Sequence, residues 1–196
     1  MKEAFDKYID SYLTICPALT ETELKLIRSN LSPLTLQKKE FYLRSGDLQK
    51  MMGFVYRGLL RSYYVNNEGK KITIGFIYEG KYASDYPSFI KQKPSKYFIE
   101  VLEPTIIVNL PFTVIKQAYK LHRNMEKYGR LIAEQILFEK QDRIEQFLFA
   151  NAEERYLDFL DNNPNLINRI SLSHLSSYLG IERQSLSRIR KNLSKK

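Results

Sequence analysis

The residues with most chemistry to offer lie in SLSHLSSYLGIERQSLSRIRKNLSKK, residues 171–196. Arg183, Gln184, Ser187, Arg188 and Lys191 stand at successive turns of one apolar-periodic run. An Arg fork matches the two acceptors of guanine in the major groove, and Gln pairs bidentately with adenine. Arg190, Lys191, Lys195 and Lys196 suit phosphates, which position a protein on a duplex without specifying sequence. Two short helices must present these groups. Leu172, Leu175 and Leu179 fall at i, i+3 and i+7, and Leu186, Ile189 and Leu193 repeat that spacing. Gly180 between them supplies a left-handed residue, Ile181 plugs the junction, and small Ser176 lets the backbones approach. A helical hairpin docking on another protein has the same apolar spacing. The basic, Gln- and Ser-bearing face favours DNA over an apolar docking surface.

Composition supports a folded chain with an anionic partner. Apolar residues make up 43% and charged residues 27%, which is globular rather than disordered usage. Net charge is +9, and from Leu166 onward seven Lys/Arg face Glu182 alone, so the remainder holds only about +3. The aromatic load is Tyr and Phe without Trp, and core packing is its expected use. Cys16 is the single cysteine, which excludes an internal disulfide or a multi-cysteine zinc site; a buried small hydrophobe is expected there. No apolar run approaches the ~20 residues of a spanning helix. The acidic start MKEAFDKYID does not read as a secretion signal, so a cytoplasmic protein without membrane partners is expected.

The hydrophobic period changes twice along the chain. Residues 1–31 read as helices, with Ile9, Tyr12 and Leu13 on one face and TETELKLIRSNL as a capped second helix. From Pro33 to about Leu110, short β-rich runs alternate with turns at Ser45–Asp47, Asn66–Gly69 and Glu79–Gly80. Ile72, Ile74, Phe76 and Tyr78 alternate with Thr73 and Gly75, predicting a half-buried strand with the large residues inward. The spacing predicts a small antiparallel barrel or jelly roll. Thr113 to Ala150 contains no Pro and only Gly129, predicting a long helix with too many apolar residues for one buried face. Tyr128, Leu131, Ile132 and Phe138 are the expected contacts with a second copy. Asn151 and Glu154 form a capping box that starts the next helix and marks a hinge.

A β-rich domain, a long helix, a hinge and a closing helix-turn-helix together resemble the Crp/Fnr superfamily of bacterial transcription regulators. The resemblance is strongest in LSHLSSYLGIERQSLSRIRKNL, where Arg183, Gln184, Ser187 and Arg188 match base-reading positions. YRGLLRSYYVNNEGKKITIGFIYEG is similar to the sensor domain's central hairpin, with Gly58 at the usual glycine. The implied fold is α+β: an N-terminal jelly roll of the cyclic-nucleotide-binding type, a long dimerisation helix, and a C-terminal helix-turn-helix with little or no wing. The implied domains are 1–120, 121–150 and 151–196. The implied partners are double-stranded DNA with a palindromic operator and a second copy of the chain. RNA polymerase, and a small-molecule effector or none, stay open.

The chain departs from the cyclic-nucleotide pattern. Ser84-Asp85 stands where Gly-Glu would be, and Tyr97, or Lys96 after a one-residue slip, replaces the Arg that neutralises the phosphate. Without that bidentate contact cAMP is not expected. Tyr82, Asp85, Tyr86, Lys96 and Tyr97 are the expected residues of a repurposed pocket. One cysteine cannot hold an iron–sulfur cluster, and His122 is expected to be a solvated surface side chain rather than a haem ligand. No cofactor and no metal are expected. Only His122 and His174 are available, too few and too far apart for a cupin metal site. Asp85 and Glu100 are the remaining carboxylates for acid–base work, and structural roles are expected for both, so no catalytic residue is assigned.

Overall fold

A computed structural model describes residues 1–193, which form two compact units: Met1–Tyr64 with Phe76–Ile136, and Val65–Gly75 with the residues from 137 onward. Two short helices open the first unit, α1 (Lys2–Ile15) and α2 (Glu21–Arg28). Strands β1 (Ser32–Leu36), β2 (Phe41–Leu43), β3 (Met51–Arg57), β4 (Leu60–Val65), β5 (Lys71–Ile77) and β6 (Tyr82–Ala83) follow. A short helix α3 (Tyr86–Lys91) precedes β7 (Phe98–Val101) and β8 (Thr105–Pro111). The eight strands make two four-stranded sheets, ordered β1-β8-β3-β6 and β2-β7-β4-β5. The registered pairs are antiparallel. This is the expected jelly-roll sandwich.

Leu43, Val55, Leu60, Ile77, Ala83, Ile99, Val101 and Ile107 fill the space between the sheets. Because Ile77 faces that core, the period-two pleat sends Thr73 to the same side, and Thr73 is 3% exposed. Ile72, Ile74 and Phe76 therefore lie half-buried on the other face. The inward set of β5 is the opposite of the one expected from side-chain size. The turn Asn66–Gly69 forms as expected, closed by Gly69 N–H to the Asn66 carbonyl and by Asn66 N–H to the Lys70 carbonyl. Gly58 has φ +114, and a Cβ there would stand 2.7 Å from the Thr105 Cα, so only glycine fits the turn between β3 and β4.

A second core sits where helices cover β3 and β8. Tyr8, Tyr12, Ile27, Phe54, Val108, Leu110, Ile115, Met125 and Tyr128 meet there, together with Cys16 as a buried small residue. Helices α4 (Phe112–Leu121) and α5 (Arg123–Phe149) complete it; α5 runs 27 residues, and a break at extended His122 separates the two. The aromatic load is concentrated here. Tyr12 stacks on Tyr128 with centroids 4.0 Å apart, and the Tyr82 and Tyr128 hydroxyls lie 2.9 Å apart.

The capping box of α2 reaches further than its own helix. Glu23 accepts from the Thr20 N–H at 2.8 Å and from the Asn124 side chain at 3.2 Å, with His122 Nδ1 at 3.9 Å. Burial raises the Glu23 pKa, but the bonds from Thr20 and Asn124 and the nearby His122 outweigh it and hold the carboxyl below the usual range. A carboxylate depressed in the folded state stabilises fully above its unfolded pKa, about 4.3, and loses that contribution as pH falls through the folded value. Glu23→Gln should therefore lower the unfolding temperature at pH 7 and converge with the parent chain near pH 3. Parallel curves across that window would show that the charge contributes nothing.

Candidate nucleic-acid interface

Past α5, the second unit continues with α6 (Ala152–Asn162), α7 (Leu172–Leu179) and α8 (Arg183–Leu193). Asn151 caps α6 by accepting from the Glu153 and Glu154 N–H groups, and Glu154 accepts in return from the Asn151 N–H at 2.7 Å. Ser171 caps α7 through the His174 N–H. Tyr156, Phe159, Leu166, Ile170, Leu175, Leu179 and Leu186 are its buried apolar residues. Ser176 is buried and its carbonyl accepts from both Gly180 and Ile181, closing α7 on a left-handed Gly180 at φ +66. This is the helix-turn-helix that the leucine spacing predicts, with Leu172, Ile189 and Leu193 half-buried at its margins.

Arg183, Gln184, Ser187, Arg188 and Lys191 are all exposed on α8. Their spacing of i, i+1, i+4, i+5 and i+8 puts them on one side of the helix. The Ser187 hydroxyl donates to the Arg183 carbonyl one turn back, which leaves its lone pairs outward as acceptors. Arg190 is exposed beside them, and Lys195 and Lys196 lie outside the described residues. The interface is a basic helix face with no acid on it.

Three side chains that sequence reasoning missed hold this motif. Arg143 of α5 donates to the Tyr178 carbonyl and lies between two rings, 4.3 Å from the Phe147 centroid and 3.8 Å from that of Tyr178. Burial pulls its pKa below the usual arginine range; Tyr178 opposes that shift and the like charge of Arg155 adds to it. Arg155 of α6 donates through Nε to the Leu179 carbonyl at 3.0 Å and through a terminal nitrogen to the Ala150 carbonyl at 2.6 Å. Phe147 packs against the turn, where a Cβ on Gly180 would lie 2.7 Å from its ring. The hairpin tip joins the same unit: the Ser177 hydroxyl accepts from the Thr73 N–H at 2.9 Å and reaches the Lys71 carbonyl at 3.3 Å.

The long helix divides its labour. Tyr128 is 4% exposed and belongs to the core of its own chain, and Leu131 and Ile132 are half-buried against that core. Of the four residues expected to meet a second copy, only Phe138 is open, at 66% exposure. The open stripe continues through Leu137, Ile144 and Leu148 instead, with Gln141 between them at three- and four-residue spacing. The compact units part after Ile136, and Arg143 and Phe147 tie the second half of α5 to the helix-turn-helix.

The expected effector residues do not form one cluster. Asp85 is buried, accepts from the Ser95 hydroxyl at 2.8 Å, and its N–H donates to the Gln49 side chain. Tyr97 joins this group through its N–H to Ser95, while Lys96 is exposed and Tyr86 half-buried at the start of α3. The Tyr82 hydroxyl instead bonds Ser11 and Tyr128 in the helical core. Glu100 is paired with buried Arg61 at 3.1 Å, a structural role like that of Asp85.

No protein-family model matches the chain. Among curated proteins it is similar to Electron transport regulator A of Shewanella oneidensis, 24% identical over 79% of this chain and 65% of that one. The chain thus spans about two thirds of the curated relatives it matches, 65% of their length. Among solved structures, FixK2 from Bradyrhizobium japonicum superposes with TM-score 0.72 at 17% identity, covering 84% of this chain and 85% of that one. A putative transcriptional regulator of the Crp/Fnr family from Eubacterium rectale gives 0.71 at 21% identity, covering 93% and 87%. The fold is therefore shared with these two solved structures.

The turn offers a direct check on this geometry. Gly180→Ala puts a side chain into the left-handed region and against Phe147, costing about 1–3 kcal/mol. Its thermal transition should shift down while Gly69→Ala, whose added Cβ meets nothing within 4 Å, pays only the backbone cost. Equal shifts would show that Phe147 does not hold the turn.

Proposed function

We propose that this chain is a homodimeric, sequence-specific DNA-binding transcription regulator that does not respond to cAMP. The exposed face of α8 carries the proposal: Arg183, Gln184, Ser187, Arg188 and Lys191 stand together on a helix set behind a left-handed glycine turn. Arg183, Gln184, Ser187 and Arg188 read base edges from the first turns, and Lys191 with Arg190 holds phosphates. The apolar residues of α8 are buried or half-buried, so this face offers little to an apolar protein partner. The name of the Shewanella relative, a regulator, supports the same reading. The chain works as a binder rather than an enzyme, in the cytoplasm.

A second copy covers the stripe of Leu137, Phe138, Ile144 and Leu148, 53–70% exposed on one helix. Water-exposed apolar side chains at this spacing are the seam of a two-helix coil. No helix among the described residues is long and apolar enough to cross a membrane, so the stripe is not a spanning surface. An effector, if one acts, shifts the balance between two arrangements of the dimer only by binding them unequally.

Selection of bound fragments from random double-stranded DNA at physiological salt tests the reading. An enriched palindrome is expected, with Arg188→Ala losing about 1–3 kcal/mol and relaxing preference at one base pair. Lys191→Ala should weaken all sequences alike and flatten the salt dependence. Binding without sequence preference, or without salt dependence, overturns the assignment. Phe138→Glu and Leu148→Glu, both at open positions, should give folded monomers by sedimentation; a persistent dimer would place the contact elsewhere.

A further inference from the structure

We infer that Arg143 sets the operator spacing this regulator accepts, by locking the angle between the dimer stripe and the recognition helix. The inference rests on the dimeric reading proposed above and concerns the regulation of that same site. Arg143 lies on α5 beside Ile144 and a turn and a half before Leu148, two of the proposed seam residues, and its guanidinium ends on the Tyr178 carbonyl of α7. The same helix therefore carries the contact to a second copy and the contact to the DNA-reading motif.

The backbone between them offers a hinge at Ala150–Asn151, where α5 stops and the Asn151 cap begins. A capped break of this kind leaves the following helices free to rotate about a few dihedrals unless side chains span it. Here they do span it. Arg143 crosses from α5 to the end of α7, and Phe147 seats on the Gly180 turn. Gln146 of α5 donates to the Asp158 carboxylate of α6 at 2.6 Å. Arg155 bonds the Ala150 carbonyl on one side and the Leu179 carbonyl on the other. Arg143 is the central member, because it alone is both sandwiched between rings and bonded to α7. A planar guanidinium held in this way fixes direction as well as distance, which an ammonium or an apolar side chain does not.

A fixed angle has a consequence that simple stability does not. Two recognition helices on a rigid dimer reach two major-groove segments at one separation only. The second half-site then binds at a high effective concentration for the matched spacing and a low one for the others. Loosening the angle spreads that advantage over several spacings while leaving each half-site's base reading untouched. Arg143 is a positioning residue, since it touches no DNA itself.

The test compares the full chain with Arg143→Met and Arg143→Ala on duplexes whose half-sites are separated by the selected spacing and by one or two base pairs more or fewer. Met keeps the apolar contact between the two rings and removes the fork, so it retains the fold where Ala does not. Arg143→Met should bind the selected spacing about tenfold more weakly, bind the altered spacings no worse than the parent, and bind a single half-site within about twofold of it. A purely structural role would instead weaken every duplex by the same factor, and that result overturns the inference. So does a parent-like spacing profile in Arg143→Met. A parent chain that prefers no spacing removes the dimeric reading, and this inference with it.

Discussion

The carbonyls at the end of α7 are the constraint on which the helix-turn-helix depends. A helix leaves its last carbonyls without intrahelical donors, and beside a packed turn water cannot serve all of them. Here three of these carbonyls are met from different sources. The Ser176 carbonyl takes the N–H groups of Gly180 and Ile181, Tyr178 takes Arg143, and Leu179 takes Arg155. The turn between the two helices of the motif is therefore built by residues from α5 and α6 as much as by its own glycine. Removing the outside donors would take a hydrogen bond from part-buried acceptors, which is costlier than losing one at the open surface.

That arrangement explains why the compact units part inside α5. Its first half is held by aromatic packing, with Tyr128 stacked on Tyr12 and bonded to Tyr82. Its second half is held by Arg143 and Phe147 on the helix-turn-helix. One continuous helix thus satisfies two environments. Its hydrophobic residues do not share a single stripe, because each half turns a different face inward. Among the residues left open, Leu137, Phe138, Ile144 and Leu148 are those in the proposed contact with a second copy.

Much of this was legible from residue type and spacing. The period-two runs broken by turn residues foretold the sandwich, the leucine triplets around Gly180 foretold the paired helices, and the Asn151–Glu154 box foretold where α6 begins. Less legible were contacts that cross elements. Tyr128 and Phe138 both look like seam residues in the sequence, and only packing against α1 separates the buried one from the open one. The inward face of β5 differs from the expected one for a related reason. A strand with large residues at alternate positions does not say which sheet it joins, and Ile77 in the sandwich core decides the pleat for the rest.

What the sequence by itself determined is local: helix and strand periods, caps, the left-handed turn, and the basic surface of α8. These follow from backbone dihedrals, short-range hydrogen bonds and charge, all of which act within a few residues. Only the tertiary structure decided that Asp85 joins Ser95 while Tyr82 joins the tyrosines of α1 and α5, and that Arg143 bonds a carbonyl 35 residues away. The physical reason is that a side chain's role depends on what desolvates it. An arginine in a long helix reads as surface charge until a ring one turn along its own helix and a ring and carbonyl 35 residues away close around it.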